Sequence, residues 1–167
     1  LLAELKVNPV VGISATKWLN TVQYDFAGHD VGIGSKYGYK TPSGGTGATI
    51  AIGLLCRIYL GTPQMDPGLQ RGLRYLEAEG PDPKNMYYNY YATMFMYQCD
   101  GPTGTFWKSW NKKMRDQLIQ TQQRQGPGAG SWYFDDSHGR SGGRLYDTAL
   151  SALTLEIYYR YLPMYAE

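Results

Sequence analysis

The sequence predicts an all-α protein, about three helical hairpins arranged in two layers. Three observations predict it. Six segments repeat their apolar residues with the period of a helix, and no alternating β-branched runs separate them in the manner of a Rossmann sheet. Segments with one apolar face alternate with segments apolar on nearly all sides, as outer and inner helices of a double layer should. Glycine and proline gather between the segments, where hairpins would turn.

The first segment, Ser14 to Gln23, is short and sets Trp18, Leu19 and Val22 on one side. Ala27 to Gly47 follows, too rich in glycine for a helix. The second segment, Ala48 to Leu60, is almost continuously apolar and stops at Gly61 and Pro63. The third, Asp66 to Glu79, places Leu69, Leu73 and Leu76 at i, i+4, i+7, with Asp66-Pro67 as N-cap and first helical residue and Gly80-Pro81 as its end. The fourth, Asn85 to Gln98, is again apolar nearly all round. The fifth, Thr105 to Gln123, buries a stripe of Trp107, Trp110, Met114 and Leu118 and leaves Lys108, Lys112, Arg115 and Asp116 to water. The sixth, Arg144 to Leu162, is apolar except for one narrow strip. Ala48-Thr49, Ala92-Thr93 and Thr148-Ala149 sit near the starts of the three inner helices, spaced by 44 and then 56 residues, an irregular repeat.

Composition narrows the function classes. The chain has 167 residues, enough for the single domain expected over 1–167, and 43% of them are apolar. Its 16 basic and 14 acidic residues give a net charge of +2, no field for holding a phosphate backbone, so nucleic acid is not an expected partner. No apolar run approaches the roughly 18 residues of a membrane span. Cys56 and Cys99 permit one bridge, but two buried thiols are the expected state. The chain starts Leu1-Leu2 and reads as a processed product or a piece of a longer protein. Nothing in it assigns a compartment.

Tyrosine is in excess, 16 residues against 4 phenylalanines, with five between Tyr87 and Tyr97 and five between Tyr146 and Tyr165. Polar strips run along the same inner helices: Thr46, Thr49, Gly53 and Cys56; Asn85, Asn89 and Thr93; Asp147, Ser151, Thr154 and Tyr158. Either these strips line a shared concave surface, or their polar groups satisfy one another inside the core.

The loop from Gln125 to Trp132 has the spacing Gln-x4-Gly-x-Trp, after an amphipathic helix and before an apolar one. It resembles the QW repeat of squalene-hopene and oxidosqualene cyclases, and more loosely the repeats of protein prenyltransferase β-subunits. With Gly142 to Tyr161 and Gly53 to Tyr59, the chain is similar to bacterial proteins carrying prenyltransferase and squalene oxidase repeats. The resemblance implies an α/α toroid or part of one. It gives Gln125, Gly130 and Trp132 a structural role, the glutamine amide stacking on the indole and bonding to helix ends. Family barrels use five to seven hairpins, so three imply an open crescent, or a ring completed by the rest of the parent protein or by a partner chain.

The catalytic parts of that family have no counterpart. The cyclases' DxDD acid motif is missing; the nearest residues, Asp135, Asp136 and His138, are weak acid/base or cation-binding candidates. The prenyltransferases' Asp-x-Cys and distant histidine are not matched either, since Cys99-Asp100 reverses the order and only His29 and His138 are present. No metal and no cofactor are therefore expected. The Gly32 to Gly38 and Ser43 to Gly47 stretches match neither a dinucleotide fingerprint nor a P-loop. The expected function is a non-catalytic binding or structural module, with a protein partner, the rest of its parent or an apolar ligand on a surface of Tyr87, Tyr88, Asn89, Tyr91, Trp132, Tyr146 and Asp147. The alternative is a degenerate or partial enzyme of the terpenoid-cyclase or prenyltransferase type.

Overall fold

In a computed structural model, which describes residues 7–26 and 32–157, six helices and one two-stranded ribbon follow in the order α1 (Pro9–Val22), β1 (Gln23–Tyr24), β2 (Lys36–Tyr37), α2 (Gly47–Tyr59), α3 (Pro67–Glu79), α4 (Met86–Asp100), α5 (Thr105–Thr121) and α6 (Ser137–Leu155). The protein is all-α. Helices α2, α4 and α6 pack side by side as one layer, and α3 and α5 lie together against them as a second.

Local chemistry sets the helix boundaries. Asn8 caps α1 by accepting from the Val10 amide, with Pro9 as the first helical residue, so the helix starts five residues before the predicted Ser14. Thr46 and Thr49 form a reciprocal capping box on α2. Asp66 accepts from the Gly68 amide to cap α3, and the same oxygen accepts from Ile33 N at 3.2 Å, which ties the glycine-rich stretch to α3. That stretch also supplies β2 of the ribbon, antiparallel to β1 with Gln23 opposite Tyr37 and Tyr24 opposite Lys36, which the sequence did not announce.

The predicted stripes on α3 (Leu69, Leu73, Leu76) and α5 (Trp107, Trp110, Met114, Leu118) are buried. Helix α4 is enclosed on nearly every side, and the Trp110 Nε1 of α5 donates to its Thr93 Oγ1 at 2.9 Å. Two expectations on sides are corrected. Trp18 is 54% exposed, and only Leu19 and Val22 of α1 are buried. Helix α6 has α4 beside it but no helix on its far flank among the described residues, so Leu145 stands 82% exposed despite its place in an apolar segment.

Helix α6 also begins earlier than predicted. Residues 137–142 are helical, a break follows at Gly143 (φ 68°, ψ −171°), and the predicted helix starts at Arg144. Its predicted end at Leu162, Tyr158 on its strip, and His29 lie outside the described residues. Cys56 and Cys99 are both free thiols, and burial pushes the Cys99 thiol up to about 12.

Candidate functional site: an aromatic face across the inner helices

Depressions in the surface of the described residues include two at the inner helices. The smaller, about 270 Å³, lies among the first turns of α2 and α4 and the loop from Gly80. Two of the polar side chains lining it serve the local fold: Asn85 Oδ1 accepts from the Tyr88 amide, and Asp82 Oδ1 accepts from the amides of Lys84 and Asn85. The larger is a groove of about 470 Å³ between α1, the ribbon, α2 and α4. Leu19, Tyr37 and Gly53 form its buried floor with Ile52 beside them, and Trp18, Tyr39 and Tyr87 form its walls. Lys40 stands at the groove, its Nζ 6.0 Å from the Tyr39 ring.

The floor is fixed by a buried cation. Arg57 of α2, 3% exposed, donates from Nε to the Tyr37 hydroxyl at 3.1 Å and from Nη2 to Asn20 Oδ1 at 2.7 Å and Gln23 Oε1 at 2.9 Å. All three acceptors are neutral. Burial drives the Tyr37 phenol up to about 12, with the Arg57 charge opposing that shift.

From Tyr87 the aromatic face continues toward α6. Tyr87 and Tyr91 meet edge to face at 5.0 Å, Tyr90 and Tyr91 at 5.2 Å, and His138 stacks on Tyr87 at 4.8 Å and 25°. Tyr146 of α6 lies 6.5 Å from the His138 ring. Burial, then the Asp136 carboxylate, pushes the Tyr146 phenol up to about 12.

Among the surface residues expected from sequence, Tyr87, Tyr91 and Tyr146 share this half-buried face. The others are interior. Tyr88 is 6% exposed and its hydroxyl donates to Gly80 O at 3.0 Å. Asn89 is fully buried, accepts from Asp82 N at 2.8 Å and donates to Asp82 O at 2.7 Å, so it holds the loop before α4 and meets no partner. Trp132 is buried, and its Nε1 donates to Leu118 O at 2.8 Å, closing the end of α5. Asp147 is 1% exposed, and its Oδ2 accepts from Phe134 N at 2.8 Å.

Gln125, expected to stack on Trp132, has no side-chain hydrogen bond to a helix end among those of the described residues. Gln125 is exposed, and its neighbours hold the loop: Gln122 Nε2 donates to Gly130 O at 3.0 Å, Gly130 N to Gln123 O at 2.7 Å, and Gln123 N to Ser131 O at 2.9 Å. Asp135, Asp136 and His138 do not converge on one point. Asp135 forms a surface pair with Arg140 at 3.0 Å, Asp136 caps α6 through Gly139 N at 2.6 Å, and His138 lies on Tyr87. Among the described residues no group of three His, Cys, Asp or Glu side chains could hold a metal, and no helix is long and apolar enough to cross a membrane.

Sequence reasoning missed Trp18, Tyr39 and Ile52 in the groove. Tyr39-Lys40, an aromatic and a cation inside a glycine-rich stretch, was the signal available. It also missed where polar groups go unmatched. Among the described residues, four buried side-chain atoms have no hydrogen-bond partner, Arg71 Nε, Tyr146 Oη, Asp147 Oδ1 and Ser151 Oγ, and three of these belong to α6. Burial raises the Asp147 carboxyl above the usual range, against the Phe134 amide that lowers it. A scan of protein-family models, a search of curated proteins and a search of solved structures each found no match to this chain.

Proposed function

We propose that the chain is a non-catalytic binding module of the α/α-toroid kind, working through the aromatic face that runs from Trp18 to Tyr146. The observation that carries this is the groove of about 470 Å³, where Trp18 and Tyr39 stay 54% and 76% exposed beside an apolar floor. Aromatic side chains bring apolar area at low entropic cost, and a concave apolar site with a few polar groups suits a ligand or a protruding partner side chain. The flank of α6 that no described helix covers, with Leu145 and Ala149 in water, is where further helices of the parent protein or a partner would pack. The enzyme alternative draws no support from Asp135, Asp136 and His138, whose side chains are spent on an ion pair, a helix cap and a ring stack.

Titration with an apolar fluorescent probe, anilinonaphthalene sulfonate, tests the groove. The native chain should bind it at one saturable site, and Trp18→Ala and Ile52→Asp should each remove that site while helicity is kept. Absence of saturable binding, or binding that survives both substitutions, refutes the reading.

A further inference from the structure

Two of the three α6 residues with an unpartnered polar atom, Tyr146 and Asp147, lie close to one short segment. Residues 137–142 are separated from the rest of α6 by the break at Gly143, whose positive φ only glycine adopts without strain. The segment rests on the residues in question. A Cβ on Gly139 would stand 2.9 Å from Asp147 Oδ2, and one on Gly142 would stand 2.6 Å from the Tyr146 side chain. Two glycines thus let this backbone lie directly over Asp147 and Tyr146.

Little fastens the segment to α4. Its side-chain hydrogen bonds are local, Arg140 to Asp135 and Ser141 to the Ser137 carbonyl. What reaches across is His138, an exposed imidazole stacked on Tyr87 and tilted by 32° to Tyr146. A single ring stack is a weak hold. Beneath it remain a carboxylate oxygen and a phenol with nothing to bond, although buried polar groups are nearly always satisfied.

We propose that residues 137–142 are a lid, that the His138 ring occupies the place of a ligand, and that the opened site of Tyr87, Tyr91, Tyr146 and Asp147 receives a planar organic cation of the guanidinium class. Tyrosine faces attract a cation, and a planar one reproduces the stack that His138 makes. Its N–H groups supply the donors that Asp147 Oδ1 lacks, and the Tyr146 hydroxyl is a further acceptor. A neutral planar group would leave the carboxylate uncompensated, and a compact ammonium would not fill the stack. The inference rests on the reading of the chain as a binding module and names the ligand class at the α6 end of its face, sharing Tyr87 with the groove.

The test is a titration of the 15N-labelled chain with N-acetylarginine methylamide, followed at the amides of Gly139, Gly142 and Gly143. The uncharged isostere N-acetylcitrulline methylamide serves as the comparison. Saturable shifts with the arginine probe and none with the citrulline probe are expected. His138→Ala should tighten binding by about threefold or more, because a larger fraction of the molecules is then open. Tyr87→Leu should weaken it by about tenfold, whereas Tyr87→Phe, which keeps the ring, should bind as the native chain does. Failure of both the native chain and His138→Ala to saturate overturns the proposal, as does equal binding of the two probes or weaker binding by His138→Ala. If this happens while the groove still binds its apolar probe, the lid falls and the binding-module reading stands.

Discussion

Removing the Arg57 guanidinium should unfold the groove side of the molecule first, and the size of the effect follows from its three partners. The charge is buried beside neutral acceptors on α1 and the ribbon: Asn20, Gln23 and Tyr37. Hydrogen bonds from a charged donor contribute about 1.5–3 kcal/mol each, and a buried group left unpaired costs about 1–3 kcal/mol. In Arg57→Ala the amides of Asn20, which is exposed, and Gln23, which is half-buried, regain water, so their loss largely cancels against the relieved burial of the charge. The Tyr37 hydroxyl cannot, because its residue is 1% exposed, and the arginine stem leaves a void beside that ring. These two effects together come to about 2–4 kcal/mol. With a urea dependence of roughly 2 kcal/mol per molar, the unfolding midpoint followed by circular dichroism should fall by about 1–2 M. Arg57→Lys should recover less than half, since an ammonium in the place of Nη2 reaches Asn20 and Gln23 but leaves the Tyr37 hydroxyl without its Nε donor. Arg57→Met fills the void but leaves the phenol orphaned, so adding Tyr37→Phe to it should raise the midpoint again. An Arg57→Met chain with the native midpoint would refute the reasoning.

Two further outcomes are expected. Trp132→Phe should cost about 1–2 kcal/mol by leaving the Leu118 carbonyl at the end of α5 without its indole donor, whereas Gln125→Ala should stay within about 0.5 kcal/mol; thermal melts of both variants check this, and a large Gln125 effect would restore the amide-on-indole arrangement. Asp147→Asn bears on pH. Because the folded carboxyl titrates above its unfolded value, the native state holds the extra proton in that window, and native stability falls as pH rises through it. At neutral pH the asparagine variant should therefore match or exceed the native chain, and this advantage should vanish once acid protonates Asp147 in both states; urea midpoints measured from pH 3 to 8 would show the opposite trend if the carboxylate were stabilising.

Much of the scaffold was legible because its determinants are local. The leucines of α3 and the tryptophan stripe of α5 define a single buried side, and Asp66-Pro67 and Gly80-Pro81 mark both ends of α3. What was illegible depends on direction. Helix α4 is apolar nearly all round, so no asymmetry in its sequence says that Tyr88 and Asn89 turn inward while Tyr87 and Tyr91 face the groove side. Trp18 was assigned inward by its apolarity alone, yet α1 buries only Leu19 and Val22. The ribbon depends on strands of two residues, too short for any period to show.

The polar strips of the inner helices look alike in sequence, and only their satisfaction separates them. On α2, Thr46 and Thr49 are consumed by the capping box. On α4, Asn85 caps, Asn89 holds the loop at Asp82, and Thr93 donates to Asn89 O while accepting from Trp110. Neither strip leaves a buried side-chain nitrogen or oxygen unpartnered among the described residues. On α6, Thr154 donates to Leu150 O, but Asp147 Oδ1 and Ser151 Oγ, one helical turn apart, remain unmatched, as does the Tyr146 hydroxyl. A fold that satisfies two strips and leaves the third open concentrates its unmet hydrogen bonding at one end of one face. That end is the one overlain by residues 137–142 and walled by tyrosine, so it is where polar atoms and aromatic surface are jointly left unused by folding.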